Sequence, residues 1–311
     1  MTSGVLILAG PTASGKTALA IDLARKFDAE IIGADSRQIY RGMPVGTAAP
    51  SAADLAAVPH HLVGFLDPVQ RYSAASFVAD ALAAIGEIEA RGKRAIVAGG
   101  TGFYIRALSG DVSLAGERDE TLRSRLAHEA HIHPTEVLHA WLAALDPKRA
   151  KALHPGDRYR VLRALEVALA VRRSRPPSTG ISRETLVTKR IPFVKIYLEV
   201  AFHEIEQRIE RRVERMLATG LLEEAERLGG SAVAGDAVGY PQALAYLRGL
   251  STRSELRTQL VRATRRYARR QATWFRSEPN LTRVEGADQI AQIIAIATRL
   301  PGWQREFRTP A

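Results

Sequence analysis

Gly10-Pro11-Thr12-Ala13-Ser14-Gly15-Lys16-Thr17 fits the spacing G-x-x-x-x-G-K-[ST] without a gap. Glycine lets the backbone turn tightly, so that successive N–H groups converge on one anion. Lys16 adds a point charge, and the Thr17 hydroxyl is a ligand for Mg²⁺. The chemistry is the binding of a diphosphate or triphosphate, as in loops that bind ATP. The loop does not say what happens to its ligand.

Other reactive groups stand elsewhere in the chain. Asp35, beside Ser36, has three readings: metal-shell ligand, general base or helix N-cap. Thr101 follows Gly99-Gly100 and either reaches a phosphate or leaving oxygen or completes an ordinary glycine turn. Tyr40 and Arg41 either meet a substrate or cover a sheet edge. Arg208 and Arg212 share a helix face at i, i+4. One of them clamps a phosphate, or both pair with Glu210 and Glu214 on a salt-bridged surface. Residues 256–276 carry Arg262, Arg265, Arg266, Arg269 and Arg270 around Tyr267 and Trp274. That pattern suits a phosphate track with base stacking, or core aromatics behind a wet arginine face. The eight histidines show no metal-ligand spacing, and with no cysteine there is neither a disulfide nor a Cys-ligated zinc.

The elements that must hold these groups are legible from the apolar pattern. Val5–Ala9 reads as a buried strand leading into the loop, and residues 18–24 as the helix leaving it. Glu30–Ala34 reads as a second strand ending at Asp35-Ser36. Arg94–Ala98 reads as a third, ending at Gly99-Gly100-Thr101. Residues 73–91 have helical spacing between them. Apolar runs alternating with helices predict an α/β fold with a parallel sheet whose ligands sit at the C-terminal strand ends. Three sequence-distant turns should then line one cleft. From Leu114 to Arg173 the pattern is helix after helix, and Phe193–Leu198 reads as a strand returning to the sheet. The domain expectation is a phosphate-loop α/β core over 1–111 and 191–311, with a helical insertion over 112–190. From Ile205 on the chain reads as mostly helical. Residues 173–180 read as a loop, and the tail from Pro301 as loose.

Charge separates these parts. Net charge is +11 over 311 residues. Residues 1–110 hold 10 Lys/Arg and 9 Asp/Glu, and the remaining 34 Lys/Arg and 24 Asp/Glu lie beyond them. Within 147–190 there are 12 basic and 3 acidic residues. A neutral phosphate-loop part beside a basic remainder points to a polyanionic partner bound outside the small-phosphate pocket. A solvated arginine surface would give the same composition. No apolar stretch is long enough to span a membrane, so no membrane partner is expected, and the lack of cysteine is compatible with a reducing cytoplasm.

A longer set of strings carries a resemblance. Gly10–Thr17 as GPTASGKT is followed by Asp35-Ser36-Arg37-Gln38-Ile39-Tyr40-Arg41-Gly42-Met43 with Gly46-Thr47-Ala48. Pro59-His60-His61, Asp67-Pro68, Tyr72-Ser73, Gly99–Tyr104, Arg163–Val167, Gly239-Tyr240 and Arg270–Arg276 follow in order. Together they resemble the bacterial tRNA dimethylallyltransferase (tRNA isopentenyltransferase) family over residues 4 to 276.

The resemblance implies transfer of a dimethylallyl group from dimethylallyl diphosphate to N6 of adenosine 37 in tRNA, with release of diphosphate. It implies Mg²⁺ as cofactor and the tRNA anticodon stem-loop as partner, in a cytoplasmic monomer. It makes Asp35 and Thr101 catalytic. The diphosphate falls to Gly10, Pro11, Thr12, Ala13, Ser14, Gly15, Lys16, Thr17 and Arg212, with the metal at Thr17. This favours the clamp reading of Arg212. Contacts with tRNA fall on Asp35, Ser36, Arg37, Gln38, Thr101 and Arg123, on Tyr159, Arg160, Val161, Leu162 and Arg163, and on Gly239 and Tyr240. The chain departs from the family at Pro241, where many relatives carry Lys or Arg. The alternatives are a small-metabolite kinase using the same loop, which leaves the basic insertion unexplained, and a nucleic-acid-binding ATPase. The latter needs a carboxylate at the end of Arg94–Ala98, where Gly99 stands.

Overall fold

The computed structural model describes residues 3–112, 119–173, 191–230, 237–286 and 288–304. The loop at 173–180 and much of the basic 147–190 stretch fall in part outside them, as does the tail beyond residue 304. Among the described residues six parallel strands form one sheet: β1 (Val5–Ala9), β2 (Ala29–Gly33), β3 (His60–His61), β4 (Arg94–Gly99), β5 (Phe193–Leu198) and β6 (Leu281–Val284). Their order is β3-β2-β4-β1-β5-β6. β1 sits between β4 and β5, with Ala9 opposite Gly99 and Tyr197. Every residue of β1 is buried, as expected of a parallel strand covered on both faces. The chain leaves β1 for β2 on one side and later returns to β5 on the other. The crevice at the C-terminal ends of β1, β4 and β2 is therefore the place for a ligand.

Chain division follows the change in pattern. One compact unit comprises residues 1–112 and 183–311, and the other residues 113–182. The second unit is helical, with Glu120–Ile132, Thr135–Leu145, Pro147–Lys151 and Arg158–Arg173 around Leu122, Leu126, Leu138, Leu142, Val161 and Leu165. Asp119 caps the first of these helices through the Leu122 N–H.

In the first unit, the longest described helix, Arg253–Arg276, opens on a capping box between Thr252 and Glu255. It buries Leu256, Leu260, Ala268, Gln271 and Phe275. The region after Ile205 is mostly helical, as expected, and the expectation of a loose tail is corrected over the described residues. The region after Ile205 contains strand β6, four residues too short and too exposed to show a strand period. The described start of the tail, residues 301–304, is anchored: Trp303 is fully buried against Phe27, and its indole N–H donates to Gly4 O at 2.7 Å.

Candidate active site

The loop after β1 is built to face an anion. Ala13 and Gly15 have φ of +65° and +94°, so the amides around them turn inward as a nest. Gly15 caps the helix Lys16–Phe27 with no side-chain cap bond, leaving the first N–H groups of the helix without a built-in acceptor. Ala13 holds a left-handed conformation that costs a non-glycine residue about 1 kcal/mol. Gly10, Pro11 and Ser14 are buried, while Gly15 and Thr17 are exposed.

Cations from distant segments close over this loop. Lys16 Nζ donates to Pro11 O at 2.7 Å, and burial pushes its amine down to about 8, opposed by the Asp35 charge. Arg212 Nη1 donates to Thr12 Oγ1 at 2.9 Å and Nη2 to Thr47 O at 3.0 Å. Its Nε is buried without a hydrogen-bond partner. Burial lowers the guanidinium pKa, and Asp35 opposes that shift. Arg208 Nη1 reaches Ser14 O at 3.2 Å, and its other amino group pairs with Glu204. The salt-bridged alternative for these arginines is not what forms. Glu210 pairs with Arg265 at 2.6 Å, and Glu214 pairs with Arg257.

The other two turns meet the loop, as predicted. A Cβ on Gly99 would stand 2.1 Å from Ala34 O, so glycine is what lets β4 end against β2. Thr101 N donates to Ala34 O at 3.1 Å, and Thr101 Oγ1 accepts from Ser36 N at 2.9 Å. Asp35 Oδ1 accepts from Arg37 N at 2.9 Å and Gln38 N at 3.4 Å, so it caps a turn, and no helix starts there. That use leaves the charge available to its surroundings. Asp35 acts on Lys16, Arg212, Tyr104 and Tyr267, and both tyrosines are held protonated mainly by burial. Gln38 Nε2 donates to Thr47 O and Ala48 O, at 3.1 and 3.0 Å. Tyr40 and Arg41 hold the segment at 65–70, bonded to Gln70 O and Phe65 O.

Two residues of supporting value lack a signal in the sequence, and a third, Arg208, shows only part of its role there. Gln271 is buried and bonds both Thr12 N and Gly100 O. Glu224 is 2% exposed and accepts from Val45 N, Gly46 N and the Tyr240 hydroxyl. It thereby fixes the segment whose Thr47 O orients Arg212. Arg208 was visible as a cation, but not as a clasp on the loop backbone. Gln271 stands in the Arg270–Arg276 string, yet nothing local separates it from its arginine neighbours, and Glu224 is one of several glutamates in its helix.

Two positions assigned to RNA contact carry buried side chains. Tyr240 is fully buried and bonded to Glu224 at 2.6 Å, and Val161 is fully buried in the helical unit's core. Neither side chain is open to a macromolecule. Gly239, also buried, holds φ +108° at the start of the helix Tyr240–Leu247. Pro241 occupies the first turn of that helix, where its missing N–H costs nothing. In the helical unit Tyr159 and Arg160 are exposed, whereas Leu162, Arg163 and Arg123 are half-buried. Arg160 pairs with Asp157, Arg163 with Glu166 and Arg123 with Glu120. Among the described residues no group of three His, Asp or Glu forms a self-contained metal site, and no helix is long and apolar enough to cross a membrane.

Comparison with known proteins agrees with this arrangement. Residues 38–278 match the family model described as IPP transferase, and residues 3–62 match that of isopentenyl transferase. A tRNA dimethylallyltransferase of Anaeromyxobacter dehalogenans is 46% identical over 88% of this chain and 92% of its own. One from Citrifermentans bemidjiense is 43% identical over 93% and 94%. The crystal structure of the tRNA isopentenylpyrophosphate transferase from Bacillus halodurans superposes with a TM-score of 0.66 at 35% identity, covering 94% of each chain. A eukaryotic dimethylallyltransferase shares the fold at a TM-score of 0.75 and 24% identity, over 95% of this chain and 78% of its own. The chain therefore belongs to the IPP transferase family of tRNA dimethylallyltransferases.

Proposed function

We propose that the protein transfers a dimethylallyl group from dimethylallyl diphosphate to N6 of adenosine 37 in tRNA, releasing diphosphate. One observation carries the reading. Two half-buried cations, Lys16 and Arg212, close on the phosphate loop, Arg212 through the Thr12 hydroxyl, and a carboxylate, Asp35, acts on both.

The C1–O bond of the donor breaks, and its electron pair leaves on the diphosphate. The loop amides, Lys16 and Arg212 stabilise that growing charge. Thr101, fixed by Ser36 N, stands at the adjoining turn to meet the leaving oxygen or the target base. The amino nitrogen of adenine forms the new bond to C1 and gives up a proton, which Asp35 accepts. Reaching the cleft requires the base to leave its stack. The Arg37–Gln38 turn and the exposed Tyr159 and Arg160 supply RNA contacts, with the helical unit gripping the anticodon stem-loop.

A hard divalent cation fits the oxygen set on offer, namely the exposed Thr17 hydroxyl and the substrate's own diphosphate. Mg²⁺ bound there would neutralise charge on the departing diphosphate. The protein acts as a cytoplasmic monomer on this reading.

Diphosphate release followed by a coupled phosphate assay tests the proposal. Release is expected only when donor and tRNA are both present, without ATP. Release that requires ATP, or formation of ADP, would overturn it in favour of a kinase.

A further inference from the structure

Gln271 joins two walls of the site through a single amide. Its Oε1 accepts from Thr12 N at 2.8 Å, and its Nε2 donates to Gly100 O at 3.0 Å. The first contact lies in the phosphate loop after β1. The second lies in the turn that carries Thr101 after β4. A Cβ on Gly100 would stand 2.3 Å from Gln271 Nε2 and 3.3 Å from Gly10 O, so the three segments meet without slack. Thr12 is held a second time by Arg212 through its hydroxyl. Thr12 N thus binds protein rather than ligand, and its place is set from outside the loop.

We infer that Gln271 is a positioning residue that fixes the distance between the diphosphate-binding loop and Thr101. The inference rests on the prenyl-transfer reading and names a device within it. A packing residue at this point would need only volume. A positioning residue needs one donor and one acceptor at defined ends, because loop and turn present an N–H and a carbonyl.

Gln271→Glu separates the two. A protonated glutamic acid keeps the shape and both bonds, donating to Gly100 O and accepting from Thr12 N. Ionised, it has no donor for Gly100 O. Burial raises the pKa of such a carboxyl, which brings the change toward the working range. The kcat of prenyl transfer by Gln271→Glu is expected near wild type at low pH and to fall by about 100-fold as pH rises. KM for dimethylallyl diphosphate should change far less than kcat. Gln271→Met, of similar volume but without either bond, should be slow at every pH. Wild-type turnover in the same assay checks the underlying reading separately, since its absence would count against prenyl transfer and not against Gln271. A Gln271→Glu profile parallel to wild type, or a folded Gln271→Met with wild-type kcat, would overturn the inference.

Discussion

The phosphate loop and the helix Arg158–Arg173 are both assigned to anions, yet they are built in opposite ways. Every wall of the loop is tied to a distant segment, through Gln271, Arg208 and Arg212. Its cations are half-buried, and desolvation lowers the pKa of each. In the helix, Tyr159 is 75% exposed, and the pairs Asp157–Arg160 and Arg163–Glu166 span only one turn. A leaving group that acquires charge in the reaction needs dipoles fixed beforehand. A phosphate backbone gathers affinity from many screened contacts, each of small value, so mobility costs it little.

Asp35→Asn should break the comparison most deeply on the loop side. Turnover is expected to fall about 1,000-fold while diphosphate and tRNA affinities hold, as read by single-turnover kinetics beside equilibrium binding. Near-normal turnover would mean Asp35 serves only the Arg37–Gln38 turn. Arg212→Lys comes next. A lysine cannot hold Thr12 Oγ1 and Thr47 O together, so kcat/KM for the donor should drop about 100-fold. Wild-type kinetics would show that a point charge there suffices.

Changes on the helix side should be smaller and should depend on salt. Replacing Arg158, Arg160 and Arg163 by Gln is expected to weaken tRNA binding about tenfold and flatten its salt dependence by about two units of slope. An unchanged slope would remove this helix from the RNA surface. The smallest effect concerns pH. Lys16 is charged below about 8 and neutral above it. The Kd for inorganic diphosphate should therefore rise about fivefold between pH 8 and 9, relative to a Lys16→Arg control. Calorimetry giving parallel profiles for the two proteins would exclude Lys16 as a titrating contact.

The same contrast decided what was legible in the sequence. The loop is legible because glycine, lysine and threonine must recur at fixed spacing to fold around an anion, and β1, β2, β4 and β5 are mostly apolar runs, each of the last three with one charged residue. The expected ends of β2 and β4, Ala34 and Ala98, each fall one residue from the observed Gly33 and Gly99. Strands β3 and β6 were not visible. His60–His61 is a two-residue pairing, and Leu281–Val284 alternates too briefly to show a period. Long-range clasps such as Gln271 to Thr12, 259 positions apart, leave no local trace. The resemblance puts Tyr240 on the RNA surface from inside a matched string, and Val161 from just before one. A string does not distinguish the residue that touches a ligand from the one that holds its neighbour in place.

The central claim is that the clasped loop releases diphosphate from an allyl donor while Asp35 takes a proton from adenine. Nucleoside mass spectrometry tests it most directly, with unmodified tRNA incubated with the protein, Mg²⁺ and dimethylallyl diphosphate without ATP. The account expects N6-dimethylallyl adenosine from tRNA carrying adenosine at position 37, and none when that position holds guanosine. Unmodified nucleosides from intact substrates and folded protein, or a phosphorylated product once ATP is supplied, would contradict it.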